Sequence, residues 1–564
     1  SEALETIARE RAEGVYVEWS VNEKAAMEVA AGAAMAGARA LVTMKQVGLN
    51  VASDPLMSLN YVGVKGGMVV MTADDPGPIS SQTEQDTRHF GRYAKLAVFD
   101  PSSPEEAYTM IADAFDCSEK IGRPVLFRPT TRICHSYASV AMLDPRPRAA
   151  AEGFRKDGGR WVIFPRLAYA NHIKIEEGLA RLSDEFSDYC GNVLRGLGKR
   201  GVASGGVSWS YVLEALECAD AECKLLKIAT IPFPAKLGEK FIEGLESVLV
   251  VEELDPVIET ELISLRGKLG VKTEIRGKLS GDMPNAGENA PGDVRNAVLR
   301  FLGKDRETAA RRPSEPAPKL PARPPVLCAG CPHRASFYAV KQAARGHKAV
   351  FSGDIGCYTL GNAMPLDMVD TCLCMGAGIT MAQGLHRVEP DAVNFAFIGD
   401  STFFHTGIPG VLNAVYNKAD VIVSVLDNST TAMTGGQPHP GTGRTVMGGE
   451  TRKADICGVL SALGVDDVQR VNAFDLSASQ FAAARAMSLS GVRAIIFEGG
   501  CAALARGKSA SRSIDWDKCA GCAVCVVNLG CPALTMKDKK AFIDGAACTG
   551  CGVCGQLCKF GAIK

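Results

Sequence analysis

Short runs of β-branched and aliphatic residues recur along the chain and alternate with stretches of helical character. ARALVTM (38–44), KGGMVVMTADD (65–75), SVLVVEELD (247–255), AVNFAFIGD (392–400) and DVIVSVLDN (420–428) are examples. Strand-length runs separated by helical stretches predict parallel α/β sheets, repeated more than once. The pattern breaks at RRPSEPAPKLPARPP (311–325), which is proline-rich, charged and without periodicity, hence an extended linker. Softer breaks fall near 145–165 and 508–515. The expected organisation is an α/β domain over 1–145, a second over 146–305, a linker over 306–325, a third α/β domain over 326–508 and a small domain over 509–564.

Composition narrows the classes. A chain of 564 residues has room for about three to five domains. Its net charge of −1 gives no reason to expect nucleic acid or an anionic membrane as partner. No apolar run approaches the ~18 residues of a membrane span, and the polar start SEALETIARERAEG lacks a signal-peptide core.

Cysteine changes the picture. Of the 20 cysteines, eight lie in the last 46 residues: Cys519-x-x-Cys522-x-x-Cys525-x5-Cys531-Pro532, then Cys548-x-x-Cys551-x-x-Cys554-x3-Cys558, two runs 29 residues apart. This is the ligand spacing of a two-cluster ferredoxin, in which the fourth cysteine of each run crosses to the other cluster. Cys519, Cys522, Cys525 and Cys558 would hold one [4Fe–4S] cluster, and Cys548, Cys551, Cys554 and Cys531 the other. Two zinc sites are the competing reading, but cysteines at i, i+3, i+6 followed by a fourth suit zinc poorly. The first run has five residues before its fourth cysteine instead of three, and Lys559 stands where proline is usual. Cluster ligation needs reduced thiolates, which fits a cytoplasmic setting.

Strand 392–400 ends in Gly399-Asp400-Ser401 and strand 420–428 in Asp427-Asn428. Ligands gather at the carboxyl ends of parallel strands. Asp and Asn there offer hard oxygen ligands for Mg²⁺, which shares its shell with phosphate oxygens. Gly399 allows close backbone approach, and Ser401-Thr402 can open a helix whose free N–H groups face an anion. Taken singly, such pairs are common turns. The spacing of 25 residues between them, however, resembles the thiamine-diphosphate motif. That resemblance implies Mg²⁺ held by the Asp400 carboxylate, the Asn428 amide oxygen and the Thr430 carbonyl. Ser401 and Asp427 depart from the usual motif residues without replacing a ligand. Asn22-Glu23 before an Ala/Gly-rich helix likewise looks like the pyrimidine-domain element of such enzymes, where a glutamate hydrogen-bonds N1′ of the aminopyrimidine. Glu18 and Glu28 compete with Glu23 for that role, Glu28 from the outer helix face. A helix-start glutamate favoured by the macrodipole is the plain alternative.

Longer strings extend the resemblance over nearly the whole chain. VEWSVNEKAA, ADDPGPISSQTEQDTR, RPTTRICHS, CAGCPHR, SGDIGCYTLG, GDSTFFHTGIPGVLNAVYNKAD and LDNSTTAMTGGQPHPGTG resemble the large (alpha) subunits of indolepyruvate ferredoxin oxidoreductases. The resemblance implies, in order, a pyrimidine-binding doubly wound sheet, a transketolase-C-terminal-like domain, a diphosphate-binding domain and a ferredoxin domain. It also implies thiamine diphosphate, Mg²⁺, two [4Fe–4S] clusters, coenzyme A as co-substrate, a smaller beta subunit and an external ferredoxin. The reaction implied is oxidation of aryl pyruvates to aryl-acetyl-CoA. Arg132 would hold the substrate carboxylate with help from His135, unless it is only a strand-end salt bridge. Cys331 and His333, in Cys328-Ala329-Gly330-Cys331-Pro332-His333, would line the diphosphate or thiazolium, with Gly356-Cys357 and Gly376-Ala377-Gly378 as cradling loops. The family's first strand and helix are expected to precede Ser1. A sister enzyme acting on pyruvate, 2-oxoglutarate or phenylpyruvate, a non-catalytic electron-transfer subunit, and a non-oxidative decarboxylase are the alternatives.

Overall fold

Among the described residues three five-stranded sheets form, and in each one successive strand residues enter cores on opposite faces. The computed structural model describes residues 2–11, 13–146, 150–219, 222–304, 318, 320–321, 323–504 and 510–564. Most of the expected linker 306–325, and the end of the expected 326–508 domain, lie outside the described residues. Contacts divide the chain into Asn22–Pro318 and a second unit made of Ser1–Val21 with Lys319–Lys564.

In the first unit the strands are β1 (Ala40–Lys45), β2 (Met68–Ala73), β3 (Ala97–Phe99), β4 (Val125–Phe127), β5 (Val193–Arg195), β6 (Arg200–Gly205), β7 (Lys224–Ile228), β8 (Thr230–Ile231), β9 (Ser247–Val251) and β10 (Glu274–Arg276). They form sheets of order β1-β2-β4-β3-β8 and β10-β9-β6-β7-β5, parallel except at β3–β8 and β5–β7. Val70, Val98 and Leu126 enter one core and Val69, Phe99, Val125 and Phe127 another, so both faces of the first sheet are covered, as a parallel sheet requires.

The boundary expected near 145 does not separate two independent sheets. Helix Pro165–Phe186 places Leu182 and Phe186 against Phe99 and Phe127, and β8 closes the edge of the first sheet. Without them that face would lie bare, and the loop-like composition of 144–160 does not tell where the chain goes next. A buried ion network ties the two sheets together. Arg88 bonds Asp86 (2.6 Å) and Glu252 (2.7 Å), while Arg128 bonds Asp74 (2.6 Å) and Asp100 (3.2 Å). Charges at such depth persist because each is paired.

In the second unit β11 (Ala349–Ser352), β12 (Val393–Gly399), β13 (Val421–Asp427), β14 (Asp467–Asn472) and β15 (Val492–Glu498) form an all-parallel sheet of order β11-β12-β13-β15-β14. Phe395 and Phe397 enter one core, Ala396 and Ile398 the other. The register sets Gly399 against Leu426, so the next residues along, Asp400 and Asp427, emerge side by side at the carboxyl edge. Residues 2–21, expected to open the first domain, belong to this unit. The only buried residue of helix Glu2–Glu10 is Ala8, and Gln437 donates to Glu5 (3.1 Å). So polar a segment carries no apolar pattern that would announce which core it joins.

The 509–564 region adds a two-stranded antiparallel hairpin, β16 (Leu534–Lys537) and β17 (Lys540–Ile543), turned by left-handed Asp538 and Lys539. On either side of it the cysteine runs share one backbone form. Gly521 (φ 69°) and Ala523 (φ 56°) match Gly550 (77°) and Gly552 (78°) at the same offsets, and short helices Val524–Leu529 and Val553–Leu557 follow. Left-handed residues between the cysteines curl the chain so that three thiols can face inward. Leu529 and Val553 pack with Ala335, Ala339 and Leu476, seating this region on helices Pro332–Ala343 and Leu476–Ser488. Among the described residues no helix is long and apolar enough to cross a membrane.

Candidate functional site

The carboxyl edge of the third sheet concentrates buried polar groups. Asp400 begins the helix after β12 and is 3% exposed. One carboxylate oxygen accepts from Ser401 N–H (2.9 Å) and the other meets His439 Nε2 (3.1 Å). Asn428 and Thr430, after β13, are buried too, and Thr430 N–H donates to Asn428 Oδ1 (3.2 Å). The turn between them is made by Ser429 in the left-handed region (φ 59°), held by its N–H to Asp427 (2.9 Å). A non-glycine residue there is strained, a strain that proteins keep where backbone must be aimed. Burial and the neighbouring Asp400 push the Asp427 carboxyl up to about 6. Two carboxylates this close call for a proton or a cation between them.

His333 faces the same edge and its Nε2 lies 3.3 Å from the Asn428 amide nitrogen. Burial lowers it to about 4 even though Asp400 pulls the other way, so it is neutral at pH 7. Behind it Tyr358 donates to Asp354 and accepts from the Thr402 hydroxyl (3.1 Å), while Gly376 N–H donates to Asp354 (2.7 Å). Burial raises Asp354 to about 7. Gly399 is required by this packing, since a Cβ there would stand 2.6 Å from the Tyr358 ring. Gly376 (φ 80°) and Gly378, whose Cβ would meet the Ser352 and Gly353 carbonyls at 3.1 Å, close the loops that were expected to cradle a cofactor. Gly356 is fully extended, and a Cβ on it would also strike Tyr358. Cys357 beside it is half-buried, its thiol raised by burial and by Cys501 and Cys328.

In the other unit Glu23 is the first residue of helix Glu23–Met35, after an Asn22 cap that accepts from Ala25 N–H (2.8 Å). Its side chain lies over Gly48, where a Cβ would come within 2.8 Å of Glu23 Cγ and Oε1. Gly48→Ala suits a helix but displaces this carboxylate. The expected outcome is turnover about 100-fold lower with stability unchanged or higher by up to ~1 kcal/mol, checked by steady-state kinetics beside thermal unfolding. Glu28, on the outer face, pairs with Lys24, and Glu18 accepts from Tyr16 (2.9 Å) and Ser20 (2.6 Å). Arg132 is exposed and held at both carboxylate oxygens by Glu288, and His135 is exposed. The ion-pair reading of Arg132 is therefore the state seen here.

The C-terminal cysteines sort into two groups. The Cys525 thiol is raised by burial and by Cys522 and Cys558, and the Cys551 thiol by burial and by Cys531 and Cys548. Cys554, pushed up to about 12, feels Cys551, Cys531 and Cys548 and, least, Cys525. Each fourth cysteine thus stands beside the opposite run. Cys531, Cys548, Cys551 and Cys554 line one cavity. Backbone N–H groups already point at sulfur: Ala562 to Cys558 (3.3 Å) and Gly550 to Cys548 (3.4 Å). Cys331, expected beside the diphosphate, also lines this cavity, its thiol pushed up to about 12 by burial. It caps helix Pro332–Ala343 two residues before His333 and also packs on the core that holds Tyr358. Among the described residues no three His, Cys, Asp or Glu side chains converge as they would on one ion.

Two stretches of the chain match known families. Residues 354–497 match the thiamine pyrophosphate enzyme C-terminal TPP-binding domain, and residues 1–162 the thiamine-diphosphate-binding domain of pyruvate flavodoxin/ferredoxin oxidoreductases. Indolepyruvate oxidoreductase subunit IorA of Methanothermobacter thermautotrophicus is 42% identical over 98% of this chain and 90% of its own length. The chain belongs to the IorA family of indolepyruvate oxidoreductase subunits. The Thermococcus kodakarensis member is 40% identical over 100% of this chain and 92% of its own length. 2-Oxoglutarate synthase subunit KorB of Archaeoglobus fulgidus is 29% identical over 32% of this chain and 70% of its own length.

Within the family frame, Glu23, Arg132 and His135 fall in one thiamine-diphosphate-binding region, and Asp400, Asn428 and Thr430 in the other. The residues present fit the cofactor and its metal. The Asp400 and Asp427 carboxyls stand together, each raising the demand for a cation, and Thr430 Oγ1 is buried with no hydrogen-bond partner among the described residues. The cysteine groups and their cavity likewise fit iron–sulfur clusters. The sequence reading missed His439, Asp354 and Tyr358. GGQPHPGTG (435–443) surrounds His439 with turn residues, a signal that this histidine sits in an ordered loop.

Proposed function

We propose that the chain is the large subunit of an enzyme that oxidatively decarboxylates indolepyruvate and related aryl pyruvates. The products are aryl-acetyl-CoA and CO₂, and the electrons leave through two [4Fe–4S] clusters to an external ferredoxin. The observation that carries this reading is the seating of the eight-cysteine region on the helix that also brings His333 to Asn428. Bound thiamine diphosphate supplies the electron sink for loss of CO₂ from a 2-oxo acid.

The chain's own groups have separate tasks. Asp400, Asn428 and the Thr430 carbonyl hold Mg²⁺ and through it the diphosphate. His439 orients the Asp400 carboxylate. Neutral His333 holds the Asn428 amide without adding a charge that would compete with the metal. Glu23 holds a proton at the aminopyrimidine N1′ and shares it during turnover. For the substrate carboxylate the resemblance offers Arg132 and His135, and Arg132 would exchange Glu288 for it. Cys519, Cys522, Cys525 and Cys558 hold one cluster, and Cys548, Cys551, Cys554 and Cys531 the other. Such thiolates must stay reduced, which fits a cytoplasmic setting. A smaller beta subunit completes the enzyme.

Anaerobic visible absorption of the reconstituted complex, with Mg²⁺, thiamine diphosphate and coenzyme A, tests the whole. Indolepyruvate alone should bleach the cluster band. Bleaching by 2-oxoglutarate or pyruvate instead would move the substrate class, and no bleaching in a cluster-loaded sample would favour an electron-transfer subunit. Cys525→Ser should leave a single substrate-driven bleaching phase while steady ferredoxin reduction falls below about 1%, followed by stopped-flow absorption. Unimpaired ferredoxin reduction would contradict the ligand assignment.

A further inference from the structure

Arg334 follows His333 on helix Pro332–Ala343, yet its guanidinium reaches the C-terminal cysteines. Nη1 donates to the carbonyls of Leu529 (2.7 Å) and Gly530 (2.9 Å), and Nη2 donates to that of Leu327. Nε–H has no acceptor among the described residues, although the side chain is only 5% exposed. Arg334 lines the cavity of Cys531, Cys548, Cys551 and Cys554; burial weighs most on its charge, and of the thiols that act on it Cys531 leads, followed by Cys331, Cys328 and Cys551. Cys519, Cys522, Cys525 and Cys558 are not part of that lining. The same cavity is walled by Cys331 and Gly330, from the loop leading into the His333 helix.

A guanidinium cannot shed its proton in a protein, so this is a permanent positive charge beside the cavity. Held at both Nη atoms, it presents Nε–H in a fixed direction. Cluster potentials respond to nearby charge and to hydrogen bonds on sulfur, and a cation favours the form carrying one more electron. We propose that Arg334 is a positioning residue that donates its Nε–H to the cluster held by Cys531, Cys548, Cys551 and Cys554 and makes that cluster the first electron acceptor. This rests on the two-cluster reading above. One electron from the oxidised substrate takes that cluster from the 2+ to the 1+ state. Its transfer to the cluster of Cys519, Cys522, Cys525 and Cys558 restores the 2+ state, and that second cluster passes the electron to ferredoxin. The cavity that would hold the entry cluster is walled by Arg334 and Ala335 of the helix that touches Asn428 through His333.

The test is an anaerobic electron-paramagnetic-resonance redox titration of the cluster-loaded complex, with iron counted in every sample. Arg334→Gln should make reduction of one cluster at least tenfold less favourable, a 59 mV fall for one electron, with the other cluster unmoved. Arg334→Lys, which keeps the charge, should recover most of that shift. Repeating Arg334→Gln in a Cys525→Ser background should show the shift in the remaining signal. Two unmoved clusters, two equally moved clusters, or a shift confined to the cluster that Cys525 supports would overturn the assignment. If Arg334→Gln loses iron, Arg334→Lys decides: a wild-type potential upholds the role of charge, and a further tenfold change in the other cluster alone overturns it. A wild-type complex lacking two clusters would overturn the cluster reading itself, and the Arg334 assignment with it.

Discussion

Replacing Asp400 by alanine is expected to lower Mg²⁺-dependent binding of thiamine diphosphate by at least about 100-fold. Changes to residues that merely orient a metal ligand cost ~10–100-fold in affinity, so loss of a direct ligand sets that range as a floor. The physical basis lies in the register of β12 on β13, which puts Asp400 beside Asp427 in a buried edge. With Asp400 gone, Asp427 no longer has a carboxylate neighbour, and the negative field that recruits a dication is halved. His439 would lose its partner but keep its place through Gly441 N–H (3.1 Å) and the Thr442 turn (2.8 Å). Calorimetric titration of cofactor with and without Mg²⁺, on samples of matched far-ultraviolet dichroism, reads the effect. Unchanged affinity would remove Asp400 from the metal site.

Glu23→Gln should bind thiamine diphosphate within a few-fold of wild type and lose about 10²–10⁴ in turnover, the usual worth of a general acid–base group. Glutamine fills the same volume over Gly48 and leaves the Asn22 cap of the helix intact, so the fold has no reason to change. It cannot share a proton with a ring nitrogen as a carboxylate does. Binding and turnover measured on the same preparation separate the two effects. Turnover within threefold of wild type would transfer the role to another residue. Paired with Gly48→Ala, this substitution divides chemistry from placement: one removes the proton, and the other moves the carboxylate that carries it.

Some of the molecule was open to reading residue by residue. Runs such as AVNFAFIGD and DVIVSVLDN hold enough consecutive apolar residues to be strands covered on both faces, and they are β12 and β13. The repeat of 29 residues between the cysteine runs reappears in the backbone as matched left-handed positions. Both signals are local, carried by periodicity and by glycine. The exception is Ala523, which takes a glycine conformation that no pattern marks.

What lies beyond local signals was decided by packing. Membership of residues 2–21 in the second unit rests on contacts such as that between Gln437 and Glu5, more than 400 positions apart in the chain. Helix Pro165–Phe186 covers the first sheet because an apolar face needed covering, although the composition before it suggested a boundary. Arg132 met Glu288, and Cys331 joined the lining of the cysteine cavity, because a helix start sends successive side chains in different directions. Composition and spacing by themselves determined the α/β class and the residue types available for metal and cluster chemistry, since these follow from period and offset. Only the tertiary structure decided which of those residues share a site. It set His439 on Asp400 and Arg334 over the thiols, because side-chain meeting points depend on strand register and on helix facing that no linear spacing encodes.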